Sequence, residues 1–155
     1  MKKLVVFLLL ALVPFFAFAQ AEIAYSVHMS GTGWGGYQFD GASAGTTGEK
    51  RQLEAIKVKV NSAITGNVRY DTHIEGAGWL GWQENDAIAG TVGKKRRVEA
   101  IKVLLTGDLA QQYNVLYRVH MAGVGWSGWS FNGDAAGTTG QKRQIEAIEI
   151  KLEKK

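Results

Sequence analysis

Three histidines, three glutamates and six aromatic rings recur in matched sets along this chain, and they are the side chains through which it could do chemistry. The sets are His28, Trp34, Tyr37 and Glu54; His73, Trp79, Trp82 and Glu99; and His120, Trp126, Trp129 and Glu146. They hold every histidine and all 5 tryptophans of the sequence. An aromatic ring beside hydrogen-bonding groups is a platform for a sugar, whose C–H face lies on the π-system while its hydroxyls find donors and acceptors. A nearby imidazole would bond one of those hydroxyls, or else anchor a neighbouring strand or turn. Three equivalent histidines meeting on an axis could hold a metal, but all three lie on the polar side of their strands, so no metal site is expected.

The glutamates precede Ala-Ile and share strand parity with Ile56, Ile101 and Ile148. A carboxylate so placed must be partnered when buried, with Arg51, Arg96 and Arg143, or the three histidines, as candidate partners. Glycosidase chemistry needs two carboxylates across one bond, and only this glutamate recurs in every copy: Asp40 becomes Asn85 and Asn132, and Asp134 has no counterpart. With 0 cysteines, no phosphate loop and no second recurring carboxylate, an enzyme is not expected and no cofactor is implied.

These residues are carried by a unit written three times, over residues 23–62, 68–106 and 115–153. Each opens with period-two alternation: Ile23, Tyr25, Val27 and Met29 face one side, and Ala24, Ser26, His28 and Ser30 the other, which predicts a half-buried strand. A G-x-G-W-x-G-[WY] stretch follows, over Gly31–Tyr37, Gly76–Trp82 and Gly123–Trp129. Glycines this dense suit turns and bulges, not a helix. If the stretch is extended, its two rings fall on opposite faces, one in the core and one outside. An A-G-T segment comes next, at Ala44, Ala89 and Ala136, and a second alternating strand closes the unit through Ile56-Val58-Val60, Ile101-Val103-Leu105 and Ile148-Ile150-Leu152. Three or four strands per unit are expected, and only the connection after Leu105 could hold a helical turn. A unit of this length covers its apolar face only by packing on its neighbours. The predicted architecture is therefore all-β and pseudo-threefold, a closed domain of β-prism type, with a β-trefoil as the alternative.

Residues 1–19 read as a secretory signal: Lys2 and Lys3, an apolar run from Leu4 to Phe16, then Ala17-Phe18-Ala19 before the expected cut. The run is short beside the about 20 residues of a bilayer crossing, so the mature chain, residues 20–155, is expected to be a single domain without membrane insertion, secreted or held at the cell surface. Without the two leader lysines the net charge falls from +4 to about +2, too weak to argue for nucleic acid. The basic residues nevertheless cluster at one place in each unit, Lys50-Arg51, Lys94-Lys95-Arg96-Arg97 and Lys142-Arg143: a solvated turn, or a weak attraction to an anionic cell-envelope polymer.

The run Y-x-x-H, G-W-x-G-[WY] and A-G-T-x-G-x-[KR]-R-x-x-E-A-I-x-[IV] resembles the clostridial hydrophobic repeat with a characteristic tryptophan, the ChW repeat, in all three units. Two departures stand out: Tyr37 where the other copies carry Trp82 and Trp129, and Asn85-Asp86-Ala87 in place of the turns at Asp40-Gly41 and Asn132-Gly133. The resemblance implies a protein secreted by Gram-positive bacteria, acting in carbohydrate binding, adhesion or cell-surface contact. Joined to the reading of the residues, it gives a lectin-like domain with up to three equivalent sites for a glycan or cell-wall polysaccharide. The alternative is a structural or adhesive module that binds protein and has no sugar site.

Overall fold

A computed structural model describes residues 20–155; the signal sequence read over residues 1–19 lies outside the described residues. Each unit has five strands. Unit one comprises β1 (Glu22–Met29), β2 (Gly33–Trp34), β3 (Gln38–Phe39), β4 (Ala44–Gly45) and β5 (Leu53–Asn61). Unit two comprises β6 (Val68–Ile74), β7 (Gly78–Trp79), β8 (Gln83–Glu84), β9 (Ala89–Gly90) and β10 (Val98–Leu105). Unit three comprises β11 (Tyr113–Met121), β12 (Gly125–Trp126), β13 (Ser130–Phe131), β14 (Ala136–Gly137) and β15 (Ile145–Lys154). The connection after Leu105 forms one short helix, α1 (Gly107–Gln112).

The two long strands of a unit pair antiparallel, β1 with β5, β6 with β10 and β11 with β15, and the two short strands after the glycine turn pair with the first of them. The A-G segment instead leaves its own unit. β9 pairs with β5, β14 with β10, and β4 with β15. Each sheet is therefore completed by a strand from the next unit, and the exchange closes on itself because unit one caps unit three. The result is three separate five-stranded antiparallel sheets, an arrangement nearer the prism than the single continuous barrel of a trefoil.

Glycine makes the exchange possible. Gly45, Gly90 and Gly137 hold φ of +106°, +112° and +104°, and a Cβ added at Gly90 would stand 2.4 Å from the carbonyl oxygen of Glu54 in the neighbouring unit. Only a residue without Cβ lets the two backbones approach so closely.

The apolar set of the alternation is buried as expected, but β1 is covered on both faces, since Ala24 and Ser26 on its other side are buried as well. Ile23, Tyr25, Val27, Ile56 and Val58 are buried in one cluster with their counterparts from the other two units, except that Thr72 stands at the place of Val27 in unit two. Tyr25, Tyr70 and Tyr117 are buried there too, and each donates its hydroxyl hydrogen to a loop carbonyl, those of Ala42, Ala87 and Asp134. A buried hydroxyl needs such a partner, and the bond ties the loop after the glycine turn to the core strand. Burial, above all other influences, pushes these three phenols up to about 12.

Candidate ligand-binding face

The outer face of each sheet collects the side chains singled out by the repeat. His28 stands opposite Trp34 across the β1–β2 pair, His73 opposite Trp79, and His120 opposite Trp126. In all three the imidazole meets the indole edge-on, with ring centroids 5.4 Å apart and interplanar angles of 77°, 79° and 78°.

Parity placed the glutamates on the core face, and here the structure corrects the sequence. A bulge in each second strand sets His28 against Ala55 but Met29 against Leu53, leaving Glu54 as the extra residue; Glu99 and Glu146 are the extra residues in the other two ladders. A bulge re-aims its side chain, and the carboxylate swings under the histidine. Nδ1 stands 3.2, 3.4 and 3.2 Å from Oε2 of Glu54, Glu99 and Glu146. The contact is close but lacks the alignment of a directed hydrogen bond. These carboxylates are only 2 %, 4 % and 3 % exposed. The second oxygen of each accepts from a residue two places earlier: Gln52 at 3.2 Å, Arg97 at 3.0 Å and Gln144 at 3.1 Å. So the histidines are partners as expected, while Arg51 turns to Glu49 and Arg143 to the Ala122 carbonyl. In unit two the arginine on the glutamate is Arg97, not Arg96.

The expectation that one ring of each aromatic pair enters the core also fails. Trp34, Trp79, Trp126 and Tyr37 are half-buried, and Trp82 and Trp129 are 36 % and 37 % exposed. The glycines between the rings break the extended path and reset its alternation. In unit three both rings therefore face the same cation, with the Arg118 guanidinium 4.9 Å from the Trp126 ring and 4.8 Å from that of Trp129.

A cation covers the first ring of every unit. Lys57 lies 4.7 Å over Trp34 and Lys102 4.2 Å over Trp79, both from the second long strand. In unit three that position is Glu149, and the cation moves to the facing strand as Arg118, within 2.6 Å of Glu149. The charges have traded strands while the contact with the indole is kept, as an attraction between cation and π-face predicts. Burial pushes the Glu149 carboxyl up, but hydrogen bonds from Arg118 and from Ser43 of unit one outweigh it and hold the group below the usual carboxylate range.

The two departures from the repeat pattern meet. Tyr37 of unit one donates its hydroxyl hydrogen to the carboxylate of Asp86 of unit two, and Lys59 lies 4.2 Å over the Tyr37 ring. A tryptophan has no hydroxyl there and a glycine no carboxylate, so the substitutions are one contact across a unit boundary. Asp86 holds φ of +72°, the left-handed conformation of the glycines it replaces, Gly41 and Gly133. Burial chiefly, then the Asp86 carboxylate, pushes the Tyr37 phenol up to about 12.

A hollow of ≈ 250 Å³ opens beside Trp34, walled by Gly33, Gly35 and Met29 and edged with the polar groups of Thr32, Gln38 and Thr46. Two larger ones lie between units, against His73 and His120. No group of three or more histidine, cysteine or acidic side chains is gathered for a metal among the described residues. The sequence did not reveal the hollows between units, because they are walled by the A-G-T-x-G-x-K turn of another unit, which no spacing within a single unit predicts.

No curated protein and no solved structure matches this chain. The profile of the family described as "Clostridial hydrophobic W" matches it at residues 28–62, 73–107 and 120–154. Each match begins at the histidine of its unit and runs through the aromatic rings and the bulged glutamate, and together they span more than half of the sequence. The chain belongs to the Clostridial hydrophobic W family, with three repeats.

Proposed function

We propose that this protein is a secreted, non-catalytic, lectin-like module that holds glycan on its outer aromatic faces at a cell surface or cell wall. The observation that carries the reading is the threefold set of half-exposed rings, each backed by a histidine, with a hollow and polar groups beside Trp34. A cation lies over the first ring of each unit, and the surface that the rings still expose is what the C–H face of a sugar would cover. Each contact alone would be weak. Several on one rigid body gain by multivalency when the target repeats its epitopes.

Titrating neutral soluble oligosaccharides while following tryptophan fluorescence tests this. Binding should shift the emission, and Trp82→Ala with Trp129→Ala should weaken it by about tenfold or more, the scale of a lost stacking contact and its buried area. A folded protein that responds to no glycan of a broad panel rejects the reading.

The alternative, an adhesive module that binds protein, is favoured by exposed apolar side chains near the same rings. Phe39 and Phe131 on β3 and β13, with Leu80 and Val124 in the glycine turns, all stand open to solvent. It predicts association that rises with concentration in light scattering and does not respond to sugar.

A further inference from the structure

We infer that the hollows between units bind the acidic group of an anionic saccharide, one unit supplying a histidine–glutamate pair and the next a lysine-bearing turn; the inference rests on the glycan reading above. One hollow of ≈ 560 Å³ is lined by His73, Arg97 and Glu99 of unit two with Gly140 and Lys142 of unit three. Another of ≈ 460 Å³ is lined by His120, Gln144 and Glu146 of unit three with Gly48 and Lys50 of unit one. Both fall within the roughly 300–1,000 Å³ of small-molecule sites, and the hollow at Trp34 does not. The same residue types recur between units one and two as His28, Gln52, Glu54 and Lys95. The two halves are joined directly: the Gln144 amide donates to the Lys50 carbonyl at 3.2 Å.

The charges in these hollows are unevenly satisfied. Glu99 is engaged by His73 and Arg97, Glu75 by Arg97 at 2.8 Å, and Glu146 by His120 and Gln144. Their carboxylates are thus already occupied. Lys50 and Lys142 have no ion-pair partner among the described residues. The histidines turn Nδ1 to the glutamate, so Nε2 faces a ligand as an acceptor in the neutral ring and as a donor only when the ring carries both protons. What remains available is the positive charge of the lysines, the complement of a carboxylate or phosphate.

The backbone gives a second, independent reason. Lys50, Lys95 and Lys142 hold φ of 55°, 53° and 53°, the left-handed region where glycine or asparagine is the ordinary choice. The units differ at Tyr37 and at Arg97, yet each keeps lysine in this strained conformation. Strain held against the backbone's preference at three matched places points to work done by the side chain.

The test compares trigalacturonate with its fully methyl-esterified form, the same skeleton without charge, and with a glycerol phosphate oligomer as a second source of the anion. Binding is followed by calorimetry and by tryptophan fluorescence. The variants are Lys50→Asn, Lys95→Asn and Lys142→Asn, singly and together, since asparagine accepts the left-handed backbone and removes the charge. The acid or the phosphate should bind about tenfold more tightly than the ester, and added salt should erode that preference. The triple variant should abolish it, with ester affinity and thermal midpoint unchanged. Loss of the phosphate response alone in the variant assigns the group to phosphate and upholds the site. Equal binding of charged and uncharged ligands, or a preference that survives the triple variant, overturns it. If neutral glycans still bind while no anion is preferred, this inference falls and the glycan reading stands; silence toward every ligand sinks both.

Discussion

The phenol hydroxyls show best how single residues of this protein are committed. Tyr25, Tyr70 and Tyr117 sit on strands whose alternation marks them as core, and their ring carbons obey it. Their hydroxyls cannot stay bare in that setting, so each holds a loop carbonyl. With Tyr37, four phenols are pushed up from 10.0 to about 12, burial being the largest cause in each. Because the folded value is raised, the folded state binds more protons than the unfolded one between those two limits, and stability must fall there as pH rises. The contribution is fully present below pH 10 and is lost between about 10 and 12. Denaturant midpoints measured from pH 8 to 12 should hold level and then drop steeply above 10. A flat profile through pH 12 would contradict the burial of these hydroxyls. The glutamates teach a different lesson at the same scale. Their parity with Ile56, Ile101 and Ile148 was legible, and so were their histidine partners, but the bulge that turns the carboxylate to the outer face was not. It follows from a two-against-one register between strands that a single strand's pattern cannot express.

Among the elements, the A-G strands matter out of proportion to their two residues. Each brings an alanine into the core, at Ala44, Ala89 and Ala136, and lays a glycine on the backbone of another unit. At Gly90 an added Cβ would meet the Glu54 carbonyl oxygen at 2.4 Å and the Ala55 Cα at 2.7 Å, with φ of +112°. Both neighbours are backbone, so neither can swing away, and left-handed backbone is itself costly for a residue with Cβ. Gly90→Ala should destabilise by about 3 kcal/mol or more, above the usual range for point substitutions. Gly36→Ala, where an added Cβ meets nothing within 4 Å and φ is ordinary, should be neutral or stabilise by about 0.5 kcal/mol through the unfolded chain. Urea denaturation of the two variants, read by tryptophan fluorescence, measures the contrast, and equal effects would deny the close approach. The glycine turns explain why the two rings of a unit do not alternate across the sheet. A spacing of three separates two side chains on a continuous strand, but β2 and β3 are separate two-residue strands with an irregular path between them, so their alternations are independent.

For the molecule as a whole, the cyclic exchange makes the three units one cooperative body. Unit one completes the sheet of unit three, unit two that of unit one, and unit three that of unit two. Unlike an open solenoid, whose stability is close to a sum over neighbouring repeats, this ring has no terminal unit that can fray alone. Thermal unfolding should therefore be a single transition, with circular dichroism and fluorescence coincident. A fragment ending at residue 112 should fail to fold as a monomer, since β10 loses β14 and β4 loses β15. Two resolved transitions, or a stable monomeric fragment, would show that the units stand independently.

The sequence by itself determined the local facts: a threefold unit, its two long strands and the apolar set that each of them buries. Those are written in the period of two and in short spacings, because neighbours along a strand or across a tight turn are fixed by backbone geometry. It also carried both departures from the pattern, Tyr37 and Asp86, without revealing that they touch. Only the tertiary structure decided that contact, the A-G exchange and the hollows at His73 and His120. Each joins one unit to another, and sequences as alike as these three units say that neighbours will pack, but not which turn of one is laid against which strand of the next.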